Sequence, residues 1–338
     1  MNEAGTGAGT MDAGAGTAAG HLPHDRWQPL EIVFWLLPVI AYFLFPDYLV
    51  LACQILIVGL FAVTLDLILG YAGIVSLGHA AFFGVGAYTA GLLAVHGWGE
   101  PLTGLAAAAI VAGIVGFLVS FLVVRGQDLT RLMVTLGIGL MLFEAANKAA
   151  FVTGGVDGLS GVNMWKVLGM FGFDITGRTA FWYSLVVVFI MFALARRIVN
   201  SPFGLSLRGI REGPRRMPAI GSPVAKRLIA IFTVSAAMAG VAGALLAQTT
   251  QFVGIDSLGF PRSAELLIMV VLGGVGRLYG AMIGAAVFMI AKDYLSGLNP
   301  VYWQFWIGIL LIVVVLFGRG GILGRAEALW LRMRRPRA

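Results

Sequence analysis

Apolar runs long enough to cross a bilayer recur along this chain, and no stretch between them could hold a soluble domain. Each run is ~15–23 residues, the length a helix needs to traverse a hydrocarbon core. Hydrophobic residues make up 59% of the 338 residues and charged ones only 12%, where a soluble domain carries about 25% charged residues. Mean hydropathy is +0.92. A backbone in lipid must satisfy its own hydrogen bonds, which leaves helices as the simplest answer for runs of this length. The expected fold class is therefore an all-α membrane protein.

The charges set the expected orientation. Two segments, Arg196–Arg227 and Arg319–Arg337, hold 14 of the 23 Lys and Arg residues. Such residues concentrate in cytoplasmic loops, so both segments belong on one side and an even number of spans separates them. Ten spans are expected, at roughly 31–46, 49–70, 74–96, 102–124, 130–151, 179–197, 227–250, 263–277, 279–295 and 302–318. Four lie between the basic segments, which satisfies the parity. Both termini then fall in the cytoplasm, and the stretch 152–178 falls outside. Residues 1–30 are rich in Gly, Ala and Thr and carry no basic stretch before a short apolar core. They read as a disordered cytoplasmic extension, not a signal peptide. Residues 319–338 read as a basic cytoplasmic tail.

Composition excludes several function classes. The pI of about 9.9 reflects topology, since no basic stripe interleaved with aromatics points to nucleic acid. No GxxxxGK[ST] is present, so the chain has no ATP-hydrolysing P-loop of its own. The four histidines are scattered and form no metal-ligand pattern. The single cysteine, Cys53, rules out an internal disulfide. No cofactor and no catalytic residue is expected.

Small residues recur four apart at Ala80/Gly84, Ala87/Gly91, Ala236/Gly240/Ala244 and Gly280/Gly284. That spacing lets helices approach closely in lipid. Two stretches break the helical pattern: LGYAGIVSLGHA at 69–80 and LGGVGRLYG at 272–280. Irregular backbone at membrane depth is tolerated only against protein or a water-filled cavity. Interruptions in both halves of a transporter point to its path. The alternative is that both are tight cytoplasmic turns, which also favour glycine. Asp66, Gly70, Gly73, Ser76, His79, Glu265, Gly273, Gly274 and Gly276 are the candidates for lining a path. A charged group within a span usually faces the bundle interior or a polar cavity. Glu144 can pair with Lys148 one turn on, and Lys292 and Asp293 lie near a helix end where they can snorkel.

The basic loop SPFGLSLRGIREGPRRMPAIGSPVAKR at 201–227 has its own local logic. Pro202 and Gly204 are expected to end the incoming helix, 205–212 to form a short helix, and Gly213-Pro214 to break it. A second short segment, 215–220, should stop at Gly221.

The string GYAGIVSLGHAAFFGVGAYTAGLL (70–93) resembles the signature of the permeases of branched-chain amino-acid ABC importers, in their LivM branch. RLMVTLGIGLMLFE (131–144), TGGVDGLSG (153–161), SPFGLSLRGIRE (201–212), ELLIMVVLGGVGRLYGAMIGA (265–285) and FGRGGILG (317–324) agree in order and spacing. The resemblance covers about residues 48–324. It implies a helical permease of about ten spans in a bacterial inner membrane, beside a homologous second permease, two ATPase subunits and a periplasmic substrate-binding protein. ATP would be held by those partners. It also makes the 200–226 loop an ATPase-coupling element, with Arg208, Arg211, Glu212, Gly213, Pro214, Arg215, Arg216 and Gly221 as its candidate residues. The chain departs from the family there: Glu212-Gly213-Pro214-Arg215-Arg216 stands where Glu-Asn and alanines are usual. The implied cargo is a branched-chain or other hydrophobic amino acid. Urea or a short amide, carried by permeases sharing most of these blocks, is the alternative cargo. A self-sufficient carrier or channel is the alternative class.

Overall fold

A computed structural model describes residues 29–298, apart from Leu168, Asp174 and Ile175, and scattered positions between Pro300 and Gly324. The described residues are mostly helical and form no strand, and their only β pairing is two isolated bridges, Leu159 with Val253 and Val167 with Phe171. The helices are α1 (Pro29–Leu44), α2 (Leu49–Asp66), α3 (Ala80–Val95), α4 (Pro101–Arg125), α5 (Asp128–Lys148) and the single turn α6 (Ala150–Thr153). They continue with α7 (Arg178–Val199), α8 (Pro202–Glu212), α9 (Val224–Thr250), α10 (Phe260–Gly273) and α11 (Leu278–Leu298).

Among the described residues, six helical stretches are long and apolar enough to cross a membrane: Pro46–Tyr71, Pro101–Arg125, Leu129–Lys148, Arg178–Val199, Val224–Thr250 and Leu278–Leu298. Glu31–Leu44 and Ala80–Val95 are apolar but shorter. The expected third span loses its first turns because 72–79 is not helical. The expected eighth span is the short α10, 14 residues ending at Gly273. The expected tenth span, the N-terminal extension and the basic tail lie essentially outside the described residues.

Helix α9 is the hub. Of its apolar window 72% is buried, against 11% for α5. It packs against α2, α3 and α4, and glycine makes those contacts close. A Cβ on Gly86 of α3 would overlap the backbone of Gly240 on α9. A Cβ on Gly240 would in turn meet Ala112 and the Ala108 carbonyl of α4, and one on Gly243 would overlap the Phe83 carbonyl. With no hydrophobic drive between helices in lipid, this intimate van der Waals contact is what holds them together. Phe61, Phe82, Phe83 and Phe232 fill the adjoining core, with the Phe61 and Phe83 rings 4.4 Å apart.

Helix α1 is pinned at one end by an ion pair. Arg196 Nη2 of α7 lies 3.1 Å from Glu31 Oε2, and both side chains are largely buried. Trp35 packs edge-on against Phe189 and Phe192 beside it. Arg196, counted in the sequence as a loop charge, is thus an interhelical clamp.

This packing separates two glycines that composition cannot. Gly86→Ala should lower stability by roughly 1–3 kcal/mol, because the added methyl meets backbone that cannot yield. Gly137→Ala on α5, where a Cβ meets nothing within 4 Å, should be neutral or slightly stabilising. The measurement is the thermal unfolding midpoint of each variant in detergent. Equal shifts for the two would mean that the α3–α9 contact is not tight.

Candidate functional site

The first interruption begins where α2 passes Asp66 into a π-helical turn, Leu67–Tyr71. Such turns are rare and cluster at functional sites. Gly73 then takes a left-handed conformation, φ 72°, which a residue with a Cβ adopts at a cost of roughly 1–2 kcal/mol. From Ala72 to His79 the chain is non-helical, yet Ala72, Ile74 and Ser76 are buried. The freed backbone amides find protein partners. Ile74 N–H donates to the Ile68 carbonyl at 2.8 Å. Leu77 N–H donates to Thr135 Oγ1 of α5 at 3.2 Å, and Ala80 N–H to Ser263 Oγ of α10 at 2.9 Å. This stretch is irregular backbone held inside the bundle.

The second interruption is a tight turn. Helix α10 stops at Gly273, Gly274 and Gly276 take positive φ of 111° and 82°, and α11 starts at Leu278. A Cβ on Gly273 would overlap the Gly280 carbonyl, and one on Gly321 would overlap Gly274. A residue of the FGRGGILG block therefore returns to this turn.

The two interruptions meet. The fully buried Asp66 accepts the Gly276 N–H on Oδ1 at 2.7 Å. Gly70 lies in the same contact, for a Cβ there would overlap Asp66 Oδ1 and the Gly276 backbone.

The basic loop reaches this junction through α8. The helix starts earlier than expected, at Pro202, because proline at the first helical position needs no N–H and Ser201 caps the start by accepting the Gly204 N–H at 3.3 Å. Gly204, Leu207 and Ile210 form its buried face. Arg211 donates Nη1 to the Gly70 carbonyl. Arg208 lies over the Tyr71 ring, 5.2 Å from its centroid. Glu212 at the end of α8 is exposed, as are Pro214, Arg215, Arg216 and Gly221 beyond it, and a short 3-10 turn, Pro218–Ile220, ends at the left-handed Gly221. Leu205 and Ile220 also present apolar side chains outward.

The remaining candidates lie elsewhere. His79 is buried, with Nε2 3.0 Å from Thr64 Oγ1 and 3.5 Å from Ser235 Oγ, and its ring stacks on Phe61. The Ser76 hydroxyl is buried with no hydrogen-bond partner. Glu265 sits apart from the junction in an ion-pair group. Lys292 Nζ of α11 lies 2.8 Å from its Oε1, and Arg262 Nη1 lies 3.3 Å from Oε2. Lys292 is therefore held by a carboxylate and does not simply snorkel. Glu144 and Lys148 form the expected pair at 3.9 Å, on an exposed face.

At the end of the bundle away from α8, a cavity of about 170 Å³ opens between α2, α7 and α9. Cys53, Gln54, Thr249, Thr250 and Gln251 line it, with no charged side chain among the described residues of its wall. Among the described residues no group of three His, Cys, Asp or Glu converges as a metal site. Sequence reading missed Thr135, Ser263, Tyr71 and Gly321. Lone hydroxyls on apolar helices were the available signal for the first two, and nothing in the local pattern marks which gap they fill.

Comparison with known proteins agrees with this architecture. The family described as branched-chain amino acid transport system / permease component matches residues 48–315. The high-affinity branched-chain amino acid transport system permease protein LivM of Escherichia coli is 28% identical over 281 residues, covering 77% of this chain and 66% of LivM. LivM of Salmonella typhimurium matches to the same extent, so the chain spans just under two thirds of the length of these relatives. The E. coli permease protein LivH is 27% identical, covering 80% of this chain and 92% of its own length. No solved structure matches. With multi-span helical architecture and a family match over most of its length, the chain belongs to the branched-chain amino acid transport system permease family.

Proposed function

We propose that the chain is one transmembrane subunit of an ATP-driven importer for branched-chain or other hydrophobic amino acids. It pairs with a homologous permease, takes its power from two ATP-binding subunits and receives solute from a periplasmic binding protein. It crosses a bacterial inner membrane ten times with both termini in the cytoplasm. The observation that carries the reading is α8 with its following turn. One face of α8 is buried on the bundle, while Leu205, Ile220, Arg215 and Arg216 project outward. Apolar side chains beside cations on a short rigid element favour docking into a groove on a partner. The relatives named as a LivM and a LivH permease support a paired arrangement.

In this mechanism, closure of the ATP-binding subunits displaces α8. The two permeases then rock about a shared path and expose it alternately to the two sides. No covalent step occurs on this chain. ATP is held and hydrolysed by the partners.

Topology gives the first test. Gly161, in a loop where a Cβ meets nothing within 4 Å, should face the periplasm, and the exposed Arg215 should face the cytoplasm. Single cysteines at these positions, in a Cys53→Ala background, should react with a membrane-impermeant thiol reagent from opposite sides. Reaction from one side only would rule out the ten-span arrangement.

Transport gives the second. The chain is reconstituted in proteoliposomes with its partner permease, ATP-binding subunits and binding protein. Labelled leucine, isoleucine and valine should accumulate only with ATP and binding protein present. Accumulation of urea or acetamide instead would reassign the cargo. Uptake that needs no ATP would reassign the class to a self-sufficient carrier or channel.

A further inference from the structure

We propose that Arg211 and Asp66 are the positioning residues through which α8 grips both interrupted segments, so that coupling helix and broken backbone move as one unit. The inference rests on the importer reading above and says where, in this chain, the motion passes.

The geometry is a chain of backbone contacts linked by two side chains. The helical ladder of α2 ends in the turn Leu67–Tyr71, and the Ile74 amide that could have served Gly70 is taken by the Ile68 carbonyl. The Gly70 carbonyl is left as an orphan of a helix C-terminus. Arg211 supplies the missing donor through Nη1, and its positive charge suits the negative end of the helix dipole. Asp66 does the converse for the other interruption, accepting the Gly276 N–H at 2.7 Å. Gly70 ties the two contacts together, for its carbonyl meets Arg211 and a Cβ on it would overlap both Asp66 Oδ1 and the Gly276 backbone.

The contacts around Arg211 are close, although the residue itself is exposed. A Cβ on Gly276 would lie 3.2 Å from Arg211 Nη1 and 3.2 Å from the Gly70 oxygen. A Cβ on Gly73 would lie 3.1 Å from Arg211 Cγ. Arg208, one turn earlier on α8, lies over Tyr71 and braces the same turn from the side. A push on α8 is thus carried by Arg211 to the end of α2, and by Asp66 from there to the turn between α10 and α11. Glu212, Pro214, Arg215 and Arg216, which are exposed, are the surface that receives the push. Arg211 transmits it.

The test uses the complete reconstituted importer with Arg211→Ala, Arg211→Lys and Asp66→Asn. Two quantities are read: capture of the ATP-binding subunits, and leucine uptake per ATP hydrolysed. Arg211→Ala should still capture the ATP-binding subunits but lose about tenfold in uptake per ATP, the scale of one lost charge-assisted hydrogen bond. Arg211→Lys, which keeps a cation and a donor, should recover part of the loss. Asp66→Asn keeps an acceptor for Gly276 but loses the charge, and should fall between. A purely structural cap would reduce the yield of complex while leaving uptake per ATP unchanged in what assembles. That result, or a change within about twofold in Arg211→Ala, overturns the inference. Loss of capture in Arg211→Ala also overturns it, by making Arg211 a docking residue, and leaves the importer reading intact. Should Arg211→Ala fail to insert, Arg211→Gln decides by the same criteria. Absence of ATP-driven uptake by the unsubstituted complex would bring down the importer reading and this inference together.

Discussion

A helix that ends inside a packed bundle leaves amides and carbonyls that protein groups must satisfy, and the shape of this protein follows from how those groups are met. Two helix ends are buried in the bundle here, that of α2 in the turn after Asp66 and that of α10 at Gly273. Hydroxyls on neighbouring spans take up part of the freed backbone: Thr135 of α5 and Ser263 of α10 accept amides of the 72–80 segment. Charged side chains take up the rest, with Asp66 on Gly276 and Arg211 on Gly70. Each of these partners comes from a different element, so the interruptions cannot exist without the surrounding bundle. Equally, the bundle cannot rearrange at this end without disturbing them.

Glycine provides the space in which this happens. Around α9 it brings three helices into backbone contact, as where Gly86, Gly240 and Gly243 meet neighbouring chain. The same residue type acts differently at Gly73 and Gly276, where positive φ turns the backbone. The two roles have opposite mechanical consequences. Close helix packing makes α3, α4 and α9 a rigid block. The turns place the bends between that block and the short α8. A transporter needs both, a body that does not deform and a place where motion enters.

Charges inside this protein are paired by structure more than by sequence proximity. Glu31 meets Arg196 across α1 and α7, and Glu265 meets Lys292 across α10 and α11. A lone charge in such surroundings is expensive, so these pairs also fix which helices must be neighbours. They hold the helices around the junction without belonging to it. The cavity near Cys53, at the far end of α2, has a polar lining with no charged side chain among its described residues.

Much of this was legible in the chain itself. The apolar runs dictated helices, because nothing else satisfies a backbone in lipid. The small residues four apart marked the close contacts, and the clustered glycines at 69–80 and 272–280 marked where helices break. The ordered blocks carried the family, which the match over 48–315 shows. What local pattern could not decide was partnership. Asp66 and Gly276 are 210 positions apart, and nothing near either one announces the other. The same gap explains why the pairing of Glu265 with Lys292 and the clamp of Arg196 on α1 were not legible, and why α8 read as starting after Gly204. Composition and periodicity determine which segments are helices and where they must stop. Only the tertiary structure decides which side chain answers each unsatisfied backbone group or buried charge. That choice depends on distances in space, and sequence separation does not encode them.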